Sequence, residues 1–238
     1  MGAQPDRWFE VSAAAIDLDG TLLDTVHDLA AAVNALLADW GLASLPMERV
    51  RALIGKGMAN LVRHALAESR SAAADAIPAD EVARALAVYE AHYERVLGRQ
   101  TRVFDGVREG IARLRQMRLP LAVVTNKASR FVRPHLEQAG LHADFDLVLG
   151  AEDLPTKKPH PGPLLHVAQA FRVPPSRLLM IGDSSNDAQA ARAAGCPVLI
   201  VPYGYNEGVP VEAIDADGIV PSLLAAAERI RPVPIISS

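Results

Sequence analysis

The sequence predicts an α/β protein: a parallel sheet covered by helices on both faces, interrupted after its first strand by a helical insertion. Three observations predict it. Short apolar runs alternate with helix-like stretches on either side of residues 27–98. Residues 27–98 carry helical periodicity throughout and no strand pattern. Several apolar runs end in, or lead to, loops bearing carboxylates, a Thr-Asn pair or lysines. Alternation at this spacing is what βα units of a parallel sheet produce. The expected division is a core made of residues 1–26 and 99–238, with 27–98 as a separate unit.

The elements follow in order. Ala13, Ala14, Ala15 and Ile16 form a short apolar run that enters Asp17-Leu18-Asp19-Gly20-Thr21, so a buried strand ends at a turn. Leu29, Val33, Leu36, Leu37 and Trp40 share one helical face, and Gly41 stops that helix. Pro46 opens a second helix that ends near Gly55-Lys56-Gly57. A third is expected over residues 58–69. The alanine-rich stretch 71–76 reads as a loop. A fourth helix follows Pro78, with Val82, Leu86, Tyr89, Tyr93 and Val96 as a core-facing stripe and Gly98 as its stop.

Beyond residue 100 the strand-helix alternation resumes. Asp105 is placed to cap a helix over 106–117. Strands are expected at 121–124, 146–150, 178–181 and 198–201. Helices are expected up to Ala139, with Pro134 as a potential kink, from Pro163 to Phe171, and over 185–194. Residues 231–238, with two prolines, read as an irregular tail.

Bulk properties narrow the function. The chain has 238 residues, half of them hydrophobic and 22% charged, enough for a large core. A net charge of −4 argues against a general nucleic-acid binder. Cys196 is the sole cysteine, which precludes an intrachain disulfide and suits a reducing compartment. No apolar run approaches the ~20 residues that span a bilayer, and residues 1–10 lack the basic-then-apolar pattern of a secretory leader. A cytoplasmic protein is expected, as a monomer or homodimer, with no nucleic-acid or membrane partner.

The strand ends carry the chemical argument. In an open parallel sheet, sites form beyond the carboxyl ends of the strands. There the sequence delivers Asp17 and Asp19, then Thr125-Asn126, then Lys157-Lys158-Pro159-His160-Pro161, then Gly182-Asp183 with Asp187. Two carboxylates about 4 Å apart repel by roughly 4 kcal/mol at an effective dielectric of ~20. A dication or a shared proton removes that penalty. Any one of these signals alone is an ordinary turn or a solvated lysine; four in this order point to one site.

In these stretches the chain resembles the haloacid dehalogenase superfamily. Asp17-Leu18-Asp19-Gly20-Thr21 is similar to its first motif, Thr125 to the second, Lys158 to the third, and Gly182-Asp183 with Asp187 to the fourth. The resemblance implies a Rossmann-like parallel sheet core with an inserted four-helix cap domain. Within the superfamily the chain is most similar to the phosphoglycolate phosphatase branch. Ile54-Gly55-Lys56-Gly57, Val124-Thr125-Asn126-Lys127, the Lys157 to Pro161 stretch and Tyr203-Gly204-Tyr205-Asn206 carry that similarity.

The resemblance implies a Mg²⁺-dependent phosphatase acting on a small phosphorylated metabolite, 2-phosphoglycolate first among them. Another sugar phosphate or nucleotide, or a non-catalytic binding protein on the same scaffold, are the alternatives. Mg²⁺ takes oxygen ligands, which Asp17, Asp183 and the Asp19 carbonyl would supply, with Asp187 beside them. Asp17 would attack phosphorus, and Asp19 would protonate the leaving oxygen. Lys158 would add a point charge beside the phosphate. Thr125, Asn126 and, from the cap, Lys56 would contact substrate. Asp19 also argues against dehalogenase and phosphonoacetaldehyde hydrolase chemistry, whose families lack this second acid. Cys196, between a helix stop and a proline, reads as buried and inert.

Overall fold

The structure is a computed structural model and describes residues 8–206 and 208–234. Its centre is a six-stranded parallel sheet. The strands are β2 (Ala13–Ile16), β5 (Leu121–Val124), β6 (Leu147–Leu149), β7 (Leu178–Gly182), β8 (Val198–Ile200) and β9 (Gly218–Ile219). Their order is β6-β5-β2-β7-β8-β9, so the first sequence strand lies in the middle between β5 and β7.

Side-chain alternation explains why both faces are covered. Along β2, Ala14 and Ile16 enter one hydrophobic cluster and Ala13 and Ala15 the other. In β7, Leu179 and Ile181 face the first cluster and Leu178 and Met180 the second. Successive strand residues point to opposite faces, so a strand buried on both sides must be apolar throughout. Helices α5 (Val107–Gln116), α6 (Ser129–Gln138) and α9 (Leu223–Ala227) supply residues to the first cluster. Helices α7 (Gly162–Ala170) and α8 (Ser185–Ala194) supply the second.

The chain leaves the core through β3 (Leu23–Asp24) and returns through β4 (Arg102–Val103), and these two short strands pair antiparallel. Between them run α1 (Val26–Asp39), α2 (Met47–Arg51), α3 (Met58–Ser69) and α4 (Ala79–Val96). These helices bury their stripes in a cluster of their own, which Ala128, Phe131 and Tyr205 join from the core. None of the described helices is long and apolar enough to cross a membrane.

Several details depart from the sequence reading. The second helix stops at Arg51, with Pro46 preceding it at the cap position. The loop at 71–76 includes a 3-10 turn, Ala74–Ala76. Gly106, at φ +77°, is the N-cap of α5 in place of Asp105, since α5 begins at Val107. The start of the expected irregular tail is ordered: β10 (Ile230–Pro232) pairs with β1 (Phe9–Val11). Pro232, with no N–H to donate, is accommodated at the edge of a two-stranded sheet. Residues 235–238 of that tail, and 1–7 of the segment tested for a leader, lie outside the described residues.

Candidate active site

The central position of β2 brings Asp17 to the carboxyl edge of the sheet. The Asp17 N–H donates to the Ile181 carbonyl at 3.0 Å, continuing the β2–β7 pairing by one residue. The chain then turns on the Leu18 carbonyl, which accepts N–H bonds from Thr21, Leu22 and Leu23. Gly20 adopts φ +91° in this turn, and a Cβ there would lie 2.2 Å from Asp183 Oδ2. Both the backbone angle and the contact require glycine. Asp19 is thereby turned to line the same cavity as Asp17.

Asp183 follows β7. Its Oδ1 accepts from the Thr21 hydroxyl at 3.0 Å, and its Oδ2 accepts from the Tyr205 N–H. Asp187 lies in the first turn of α8 and completes a capping box with Ser184. Its Oδ2 accepts from the Ser184 hydroxyl at 2.8 Å and from the N–H groups of Ser184 and Asp183 at 3.0 and 3.2 Å. Its Oδ1 accepts from Lys158 Nζ at 2.6 Å. Lys158 also donates to the Val124 carbonyl at 2.7 Å and pairs with Asp17 Oδ1 at 2.8 Å. Three loops that are distant in sequence are thus clamped around one buried ammonium.

Asp17, Asp183 and Asp187 each offer a carboxylate oxygen within 4.8 Å of the others, and all three are buried. One Lys158 cannot neutralise three carboxylates. Burial therefore pushes the Asp17 carboxyl up to about 6; Lys158 opposes the shift and Asp187 adds to it. Burial, with Asp17 and Asp187 close by, holds Asp183 well above the usual carboxylate range. Burial alone would lower the Lys158 ammonium, but Asp17 and Asp187 outweigh it and raise it. A crowded, oxygen-only donor set with surplus negative charge fits a hard divalent cation.

The second motif, Thr125 and Asn126, lines the same cavity. Thr125 is buried beside the carboxylates, and its hydroxyl oxygen accepts the Lys127 N–H at 3.2 Å. The Asn126 side-chain amide donates to the Gly55 carbonyl at 3.0 Å and to the Lys158 carbonyl at 2.9 Å. It ties the loop before α3 to the core, leaving only Oδ1 without a partner. Lys56 is exposed and is not among the residues lining the cavity; its carbonyl accepts from Lys157 Nζ at 3.0 Å. The chain reaches the cavity there through Ile54, Gly55 and Gly57 instead.

Two contributors escaped the sequence reading. Lys127 is buried and places Nζ 3.1 Å from both oxygens of Asp19 and 2.6 Å from the Tyr93 hydroxyl of α4. Its place directly after Thr125-Asn126 was the available signal. Tyr205 connects the Asp183 loop to the start of α1. Its hydroxyl accepts the Thr25 and Val26 N–H groups at 2.7 and 3.0 Å and donates to Asp24 at 2.6 Å. A Cβ on the preceding Gly204 would fall 2.2 Å from Asp183 Oδ2, so glycine is needed for that approach.

Known proteins resemble this chain over most of its length. The phosphoglycolate phosphatase of Nitrosospira multiformis is 48% identical over 221 residues, 93% of this chain and 96% of its own length. That of Thiobacillus denitrificans is 47% identical, covering 91% and 94%. A crystal structure described as a predicted phosphoglycolate phosphatase from Haemophilus somnus superposes with a TM-score of 0.85 at 31% identity, over 92% of this chain and 97% of that one. The family model for haloacid dehalogenase-like hydrolases matches residues 15–201. That span opens in the strand bearing Asp17 and closes just past β8, so it contains every carboxylate and lysine of the cluster, and the chain belongs to the haloacid dehalogenase-like hydrolases.

Proposed function

We propose that the protein is a phosphatase for small phosphate monoesters, with 2-phosphoglycolate as its substrate and Mg²⁺ as its metal. The observation that carries this reading is the convergence of Asp17, Asp183, Asp187 and Lys158 at one sheet edge. The relatives' names support the substrate. Asp17, Asp183 and the Asp19 carbonyl would hold the metal, with Asp187 beside them. Bound there, the cation would neutralise charge on the phosphoryl oxygens.

The chain's own groups divide the remaining work. A carboxylate oxygen of Asp17 forms a bond to phosphorus as the bond to the leaving oxygen breaks, giving an aspartyl-phosphate and an alcohol. Asp19 delivers a proton to that leaving oxygen. It then takes a proton from the water that attacks phosphorus, which releases phosphate and restores Asp17. Lys158 keeps Asp17 oriented and adds positive charge beside the transferring group. Thr125 and the backbone around Asn126 supply donors.

Residues 27–98 act as a cap domain over this edge and exclude water during transfer. Their separate hydrophobic cluster and the paired β3 and β4 at the crossing points support that division. The single buried cysteine supports a reducing, cytoplasmic setting.

Phosphate release from 2-phosphoglycolate tests the reading. Asp17→Asn should lower turnover by about 10³-fold or more, and chelation should abolish activity until Mg²⁺ is restored. A variant that retains near wild-type turnover would overturn the nucleophile assignment.

A further inference from the structure

The cavity is asymmetric in a way that bears on which phosphate esters fit. Lysines 127 and 158 are the cations among the described residues that line it. Lys158 donates to Asp187 and to the Val124 carbonyl and is ion-paired with Asp17 at 2.8 Å. Lys127 instead faces Asp19 and is anchored from α4. Its 2.6 Å bond runs to Tyr93, whereas both Asp19 oxygens stand at 3.1 Å. Charge-assisted bonds of this type normally close to about 2.7–2.9 Å. Besides Gly55 and Gly57, the insertion contributes only apolar side chains among the described residues of the wall: Leu29, Ile54, Met58 and Leu61.

We infer that Lys127 is the carboxylate-recognising residue of the site, making the enzyme selective for phosphate esters with an anionic group one carbon beyond the leaving oxygen. This rests on the phosphatase reading, which sets the leaving oxygen against Asp19. A cation touching Asp19 is then within reach of a carboxylate attached to the next carbon. The apolar wall strengthens that charge pair by keeping water away. Its four apolar side chains offer no hydrogen bond to the hydroxyls of a sugar, whose burial against them would be costly. Tyr93 fixes the ammonium from α4, so both parts of the chain build the subsite.

The test compares 2-phosphoglycolate with its neutral isostere 2-phosphoglycolamide, both as substrates of the Mg²⁺-loaded enzyme. The wild-type protein should prefer the acid by about 100-fold in kcat/KM, mainly through KM. Lys127→Met should bring the two within about fivefold, and Lys127→Arg should recover part of the preference. Any effect of Lys127 on Asp19 itself moves both substrates together and cancels in the ratio.

Equal use of acid and amide by the wild-type protein would overturn the inference and leave the phosphatase reading intact. So would a Lys127→Met enzyme that keeps the preference. Hydrolysis of neither compound would instead sink the 2-phosphoglycolate reading on which the inference rests. Should Lys127→Met fail to fold, Tyr93→Phe, which removes the 2.6 Å anchor, takes its place. It should reduce the preference several-fold, and an unchanged ratio overturns the inference.

Discussion

Lys158 Nζ lies 2.8 Å from Asp17 Oδ1, and both side chains are almost fully buried. The same ammonium holds Asp187 at 2.6 Å. Removing it would leave a group of buried carboxylates without a counter-charge. Lys158→Met should therefore abolish phosphate release and destabilise the metal-free protein at neutral pH by about 3–5 kcal/mol. The destabilisation should shrink in mildly acidic solution, where the raised Asp17 and Asp183 carboxyls take up protons. Urea unfolding at two pH values checks both statements.

Asn126 joins a loop of the insertion to the core through its bonds to Gly55 and Lys158. Asn126→Ala leaves two carbonyls without that donor and should cost about 1–3 kcal/mol. The loop around Gly55 should also exchange its amide hydrogens faster than in the wild-type protein. Hydrogen exchange read by mass spectrometry separates this from a global loss of stability.

Tyr205 takes the part of an N-cap for α1. Thr25 makes no side-chain cap bond, and the Tyr205 hydroxyl accepts the first two N–H groups in its place. Tyr205→Phe should destabilise the fold by about 2–4 kcal/mol, because it strands those donors in a buried setting. Chemical denaturation with an unchanged slope would confirm a stability effect rather than a change in the unfolded chain.

His135 supplies a pH-dependent component. The Thr101 hydroxyl donates to Asp28 Oδ2 at 2.8 Å and so accepts from His135 Nε2 at 2.7 Å, leaving Nδ1 unprotonated and without a partner. Burial, with the Lys127 charge adding to it, lowers this histidine from 6.5 to about 3. The unfolded chain therefore binds the proton first as pH falls. The stabilisation is complete above pH 6.5 and is lost progressively down to about pH 3. It amounts to on the order of 5 kcal/mol. His135→Gln should flatten the stability–pH curve across that window.

The sheet core and the carboxylate cluster were legible because their signals are local. An apolar strand ending in a turn marks itself, and Asp17, Thr125 and Asp183 each directly follow a strand, while Lys158 is marked by its Lys-Pro-His-Pro stretch. What was missed depends on distant pairing. β1 and β10 are three residues each and join Phe9 to Ile230, so neither shows a periodic pattern. Tyr93 lies in a helical stripe that reads as core, and it is core, stacked on Tyr89 and edge-on to Phe131. Nothing in that spacing reveals that its hydroxyl meets a lysine 34 residues later. The resemblance implies that Lys56 contacts substrate; in the structure Lys56 is exposed, and Ile54, Gly55 and Gly57 line the cavity there.

The account depends most on Asp17 taking the phosphoryl group. The direct measurement is a rapid acid quench of the enzyme turning over 2-phosphoglycolate, followed by peptide mapping with fragmentation that separates Asp17 from Asp19. The account predicts a phosphoryl group on Asp17 and none in Asp17→Asn. A phosphoryl group on another residue, or phosphate release with no covalent species during rapid turnover, would contradict it.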